Sequence, residues 1–217
     1  QNAPLDQAIK KACEQRGLKV VGEVVMVDPT ILDYYPLMTR QLESKPDAIM
    51  LTVAGPTTPG LELKVLRELG FKGPVFWGGK MDPAFQMRIA GPGTTDIFGC
   101  GVTLEDPNLP AAAKEVVARA KQKYAGQEFI SDSLFAYDGL WLLFQILEKS
   151  PSLDPQAVIK TCESLTQPGS LQTLWGPAYV GGLKTYGLNR VVCLPTPMGQ
   201  CMNGVPSNVS FNLIDVP

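Results

Sequence analysis

Histidine is absent from all 217 residues, which removes imidazole from acid–base catalysis, nucleophilic attack and metal ligation at once. Charge is thin: 18% of residues carry it, and 19 Lys and Arg against 21 Asp and Glu leave a net −2. A nucleic-acid partner needs clustered cations to meet its phosphates, so none is expected. No apolar run reaches the roughly 18 residues of a membrane-crossing helix. The first residues, QNAPLDQAIKK, show neither an initiator Met nor the charged-then-apolar order of a leader peptide. The five cysteines (13, 100, 162, 193 and 201) lack CxxC spacing, which argues against zinc. Cys193 and Cys201 bracket LPTPMGQ and could bridge a hairpin in an oxidising compartment, or remain buried thiols.

Catalytic and nucleotide signatures are missing too. No GxGxxG or GxxxxGK[ST] lies between a strand and a helix. GPGTTD at 91–96 comes closest but follows a helix and precedes a strand, so it reads as a turn. There is no GxSxG elbow. Glu23, Asp28, Asp33, Asp82, Asp106 and Asp132 are scattered, and Asp82-Pro83 and Asp154-Pro155 read as helix caps followed by proline. Neither an enzyme nor a bound cofactor or metal is expected.

What is present is material for a core: 45% of residues are hydrophobic. Leu5, Ala8, Ile9, Ala12 and Cys13 follow helical spacing, then LKVVGEVVMV (18–27) reads as a strand. Tyr34, Leu37, Met38 and Leu42 mark a second helix, DAIMLTV (47–53) a buried strand, and Leu61, Val65, Leu66 and Leu69 a third helix. PVFW is the next strand, followed by a short helix over 84–90 and the strand DIFGCGV. This alternation predicts a Rossmann-like parallel sheet covered by helices. The series opens on a helix where a doubly wound sheet opens on a strand, so a preceding strand is expected upstream of Gln1.

The second half differs. Ala113, Val116, Val117, Ala120 and Tyr124 form an amphipathic helix, and Val158, Cys162 and Leu165 mark another. Between them, SLFAYDGLWLLFQILEK is apolar on nearly every side, and no second sheet is evident to cover it. The tail carries short Val-rich strands at YVGG, RVVCL and VSFNLIDV.

In an open parallel sheet, ligands bind beyond the strands' carboxyl ends. The loops there are Asp28-Pro29-Thr30, then Ala54-Gly55-Pro56-Thr57-Thr58, then Gly78-Gly79-Lys80. Thr57 and Thr58 bring hydroxyls to a helix start, and Trp77 precedes glycines that let a ligand approach the backbone. Singly, each has a plainer role: a cap for the threonines, core for Trp77, a solvated charge for Lys80.

Five segments in order, ACEQRGLKVVGEV, LMTRQLESKPDAIMLTVAGP, LKVLRELGFKGPVFWGG, AYDGLWLLFQILEK and LWGPAYVGGLKTYGLNR, resemble the type I periplasmic solute-binding proteins of ABC transporters. The similarity is to the branched-chain amino acid (leucine/isoleucine/valine-binding-like) branch. It implies one α/β lobe of a two-lobed receptor, truncated at the N-terminus. Residues 1–101 would form the second lobe's sheet, 102–180 helices covering an absent first lobe, and 181–217 strands returning to the second lobe. It further implies a secreted, periplasmic or extracellular protein that takes a small-molecule ligand in an interlobe cleft and passes it to a membrane permease. Ligand contacts carried over from the family fall at Gly55, Pro56, Gly79 and Lys80, with another at Ser131 or Asp132. The family's amino-acid receptors place an aromatic hydroxyl and a carboxylate where this chain has Gly55-Pro56 and Gly79-Lys80. A cation pairs with a carboxylate, not with an ammonium, so the ligand expected is a small organic acid or amide-like solute. A sensor domain of the same fold is the second reading, and a Rossmann-like enzyme the third. Uncovered helices and an unpaired sheet edge also predict self-association.

Overall fold

The computed structural model describes residues 3–22, 31–51, 57–91 and 95–216. The chain divides into two units, the first holding residues 1–100 and 200–206, the second 101–199 and 207–217. It passes from one unit to the other at 100/101, 199/200 and 206/207, so the tail is shared between them.

Unit 1 runs α1 (Ala3–Gln15), α2 (Tyr35–Glu43), β1 (Ile49–Leu51), α3 (Thr58–Glu68), β2 (Val75–Met81), α4 (Pro83–Ala90) and β3 (Ile97–Gly101). β1 and β2 are parallel, in register from Ile49↔Val75 to Leu51↔Trp77. With the later hairpin β7 (Pro195–Met202) and β8 (Val205–Leu213), the strands run in the order β1-β2-β3-β7-β8. The alternation of short strands and helices therefore gives the α/β fold that the pattern predicts. Residues 18–22 take no strand, and the rest of the strand expected over 18–27, the 28–30 loop and residues 92–94 lie outside the described residues.

Two helix starts follow from their sequence. Asp82 accepts from Phe85 N at 3.0 Å, and Asp154 from Gln156 N and Ala157 N, each with proline next in the chain. The buried face of α3 is less local. Periodicity puts Leu61 and Leu69 inside, yet both are exposed, and Pro59, Gly60, Glu62, Leu63, Val65 and Leu66 are buried instead. The reason is close packing with α4: a Cβ on Gly60 would stand 2.8 Å from Gln86 Oε1 and from Ile89 Cβ. That approach turns α3 so that Leu63 and Leu66 meet Met38, Leu51, Val75, Trp77 and Ile97 in the core. At the strands' amino end, Arg67 donates to Phe71 O, Gly73 O and Thr95 O at 2.6–2.9 Å, tying the entries to β2 and β3.

Unit 2 contains α5 (Ala111–Lys123), α6 (Ser131–Lys149), α7 (Pro155–Ser164), β4 (Leu171–Thr173), β5 (Gly176–Gly181), α8 (Leu183–Tyr186) and β6 (Val191–Cys193). β4, β5 and β6 form an antiparallel three-stranded sheet. This corrects the expectation that nothing within the chain covers α6: Leu142 and Ile146 pack on Leu171, Ala178 and Val180, with Val158, Cys162 and Leu165 beside them. The cover is one-sided. Tyr137, Leu140, Trp141, Leu143 and Phe144 stay exposed on the other face.

Of the two readings left open for Cys193 and Cys201, the structure takes buried thiols over a bridge. Cys193 and Cys201 are free thiols. LPTPMGQ is no turn; Pro195 to Gln200 lie in extended β7, and six residues of strand from Pro195 to Cys201 span about 20 Å. A disulfide needs Cα atoms within about 7 Å.

Candidate functional site

Of the residues expected to bind a ligand, Thr57 and Thr58 stand at the start of α3, and Trp77, Gly79 and the Lys80 backbone lie in β2. Gly55 and Pro56 lie outside the described residues, as does the Lys80 side chain. Thr57 precedes α3 as its cap residue, but its backbone is already helical (φ −95°, ψ −35°) and its hydroxyl makes no capping bond. Its carbonyl accepts from Leu61 N at 3.2 Å. Thr57 is exposed and Thr58 half-buried.

Gly78, Gly79 and Lys80 are not a loop. β2 carries straight on through them to Met81, and the chain turns only at Asp82. Since Leu51 is level with Trp77, the Gly-Gly-Lys run extends past the described end of β1. Read from sequence, the strand ends at Trp77 and the glycines form a loop, although glycine only weakens a strand and does not forbid one. The adjoining β3 contributes its own glycine, where a Cβ at Gly99 would meet Trp77 Cβ at 2.7 Å. Two backbones thus run close together around one large ring.

Trp77 itself is a core residue, 6% exposed among Leu51, Leu66, Val75 and Ile97. Its indole Nε1 is buried without a hydrogen-bond partner. Leaving such a donor unpaired costs about 1–3 kcal/mol. Glu62, one turn into α3, is buried too, and burial alone pushes its carboxyl up to about 7. Sequence analysis missed Glu62, because its burial follows from the packing of α3 over most of its circumference and not from its neighbours in the chain.

Ser131 and Asp132 belong to unit 2, in the first turn of α6. Ser131 is buried and Asp132 exposed. A carboxylate there is favoured by the helix N-terminus whether or not a ligand is present. Further along α6, Asp138 was not foreseen. It shares the Leu134–Leu142–Ile146 stripe and accepts from Leu174 N at 2.7 Å, which anchors the β4–β5 turn. Burial raises its carboxyl while Leu174 N–H and the Trp175 indole pull it back, although the indole N–H makes no bond of ordinary geometry. Trp175 stacks on Phe211 with ring centroids 5.9 Å apart and meets Phe135 at a tilt of 46°, 5.4 Å away. Among the described residues no three His, Cys, Asp or Glu side chains group as a metal site, and no helix is long and apolar enough to cross a membrane.

A family of known proteins described as "Periplasmic binding protein" matches residues 1–181. Solved structures agree in fold. A leucine binding protein from Thermotoga maritima is 19% identical with a TM-score of 0.71, over 97% of this chain and 56% of that one. A fatty acid ABC transporter substrate-binding protein from Thermomonospora curvata is 20% identical with a TM-score of 0.73, over 96% and 53%. An ABC transporter solute binding protein from R. palustris, in complex with 4-hydroxybenzoate, is 20% identical with a TM-score of 0.69, over 98% and 57%. The chain thus spans little more than half the length of each. No curated protein matches it.

Proposed function

The chain belongs to the periplasmic binding protein family, and from that premise we propose that it serves as the solute-capturing component of an ABC importer, outside the cytoplasm, delivering a small molecule to a membrane permease. The match of the family over 1–181 is the observation that carries this reading. The same premise sets it among binding proteins rather than enzymes.

The ligand is a small organic acid or amide-like solute. Gly55-Pro56 and Gly79-Lys80 stand where the amino-acid receptors hold an ammonium, and a lysine there suits a carboxylate. Glycines in the strand leave room for the ligand against the backbone. Thr57 and Thr58 offer hydroxyls from the start of α3; Ser131 or Asp132, in the first turn of α6, is the further contact that the family resemblance implies. Relatives that bind 4-hydroxybenzoate or fatty acids are consistent with this chemistry.

Calorimetry on protein from the complete reading frame tests it. Aromatic and short aliphatic carboxylates are expected to bind, and Lys80→Met to weaken them tenfold or more. Tight binding of leucine or valine, unaffected by Lys80→Met, overturns the ligand class.

A further inference from the structure

Within unit 2, α6 meets the outer edge of the β4–β5–β6 sheet with side chains where a further strand would bring backbone. The register Thr173↔Gly176, Gln172↔Pro177 and Leu171↔Ala178 closes a two-residue turn. Thr173 and Leu171 therefore aim their N–H and C=O at β5, and Gln172 turns its own outward. Gln172 is exposed, and it holds the one outward pair of backbone groups within β4. A single side chain takes both. Gln145 Oε1 accepts from Gln172 N at 2.8 Å, and Gln145 Nε2 donates to Gln172 O at 2.7 Å. These are the two bonds that a strand residue opposite Gln172 would exchange with it. Two turns earlier on α6, Asp138 accepts from Leu174 N at 2.7 Å. Asn208 clasps Thr103 in the same manner, accepting from its N at 2.8 Å and donating to its O at 3.0 Å. That amide is buried, whereas the clasp on Gln172 lies at the surface, where an open edge invites another chain. β4 itself lacks the usual protections of an edge strand: LQT holds neither a charge nor a proline.

We propose that Gln145 closes the edge of β4 against pairing with β4 of a second copy of this chain. Symmetry sets the occupant. Antiparallel about a two-fold axis, Gln172 faces the same residue of the second copy, and each supplies the N–H and C=O that the Gln145 amide otherwise supplies.

Sedimentation equilibrium and amide-resolved hydrogen exchange on the 217-residue protein test this, with Trp141→Glu and Phe144→Lys in every chain to silence the apolar side of α6. Gln145→Ala is expected to tighten self-association tenfold or more. At concentrations where the chain is monomeric, it is expected to speed exchange at Gln172 N tenfold or more and to leave the Leu171 and Ala178 amides unchanged. Adding Gln172→Pro, which removes the outward N–H, is expected to return association to its starting level. Unchanged association in Gln145→Ala, or tighter association that survives Gln172→Pro, overturns the proposal. Faster exchange without association overturns it equally, leaving Gln145 a clasp within the fold. Should Gln145→Ala not fold, Gln145→Met, which keeps the side chain's length and loses its amide, decides by the same outcomes.

Discussion

At the residue scale, Glu62 couples stability to pH. It is 3% exposed, and desolvation raises its carboxyl from the usual 4.5 to about 7. The folded state therefore holds its proton more tightly than the unfolded chain. The associated stability is complete below pH 4.5 and is lost as pH climbs through about 7. A displacement of this size corresponds to about 3 kcal/mol. Glu62→Gln is expected to be the more stable protein by about 1–3 kcal/mol at pH 8, with the gain gone below pH 4.5. Denaturant unfolding at both ends of the range checks this; parallel stability curves for the two proteins would show that Glu62 reaches solvent. Nothing local in TPGLELKVLRE marks this acid as buried.

At the scale of elements, β2 and β3 show how one glycine serves its neighbour. Gly99 leaves space for Trp77, whose Cβ and carbonyl oxygen would lie 2.7 and 3.1 Å from an added methyl. Neither is the flexible end of a side chain, so the strands have to part. Gly99→Ala is expected to lower stability by about 1–3 kcal/mol and to raise the fluorescence accessibility of Trp77 to quenchers. A substitution without effect on Tm would mean the strands relax freely. The helices illustrate a different limit. α6 was legible as a helix, and so was its all-round apolar character, but not the sheet made by β4, β5 and β6 that covers one side. Those three short strands pair antiparallel, and short runs such as LQT carry no alternation long enough to read.

For the molecule as a whole, the exposed side of α6 is the governing feature. Leu140 is 57% exposed, Trp141 46% and Phe144 56%. Burying side chains of this kind is worth roughly 1.5–3 kcal/mol each. The 217-residue chain is therefore expected to self-associate as its concentration rises, and Trp141→Glu with Phe144→Lys to restore a monomer in light scattering. A parent chain that stays monomeric at high concentration would remove this prediction.

The sequence by itself determined whatever depends on near neighbours: the proline-flanked caps at Asp82 and Asp154, the helical periods of α2, α5 and α7, and the strand–helix alternation that makes unit 1 an α/β sheet. It also carried the ordered segments by which the family is recognised. Tertiary structure decided which side of α3 faces inward, that Gly78-Gly79-Lys80 remain in a strand, that LPTPMGQ is extended so Cys193 and Cys201 stay apart, and that Asn208 reaches Thr103. Each of these turns on contact between segments distant in the chain, where close packing and shared hydrogen bonds outweigh the preference of any single residue.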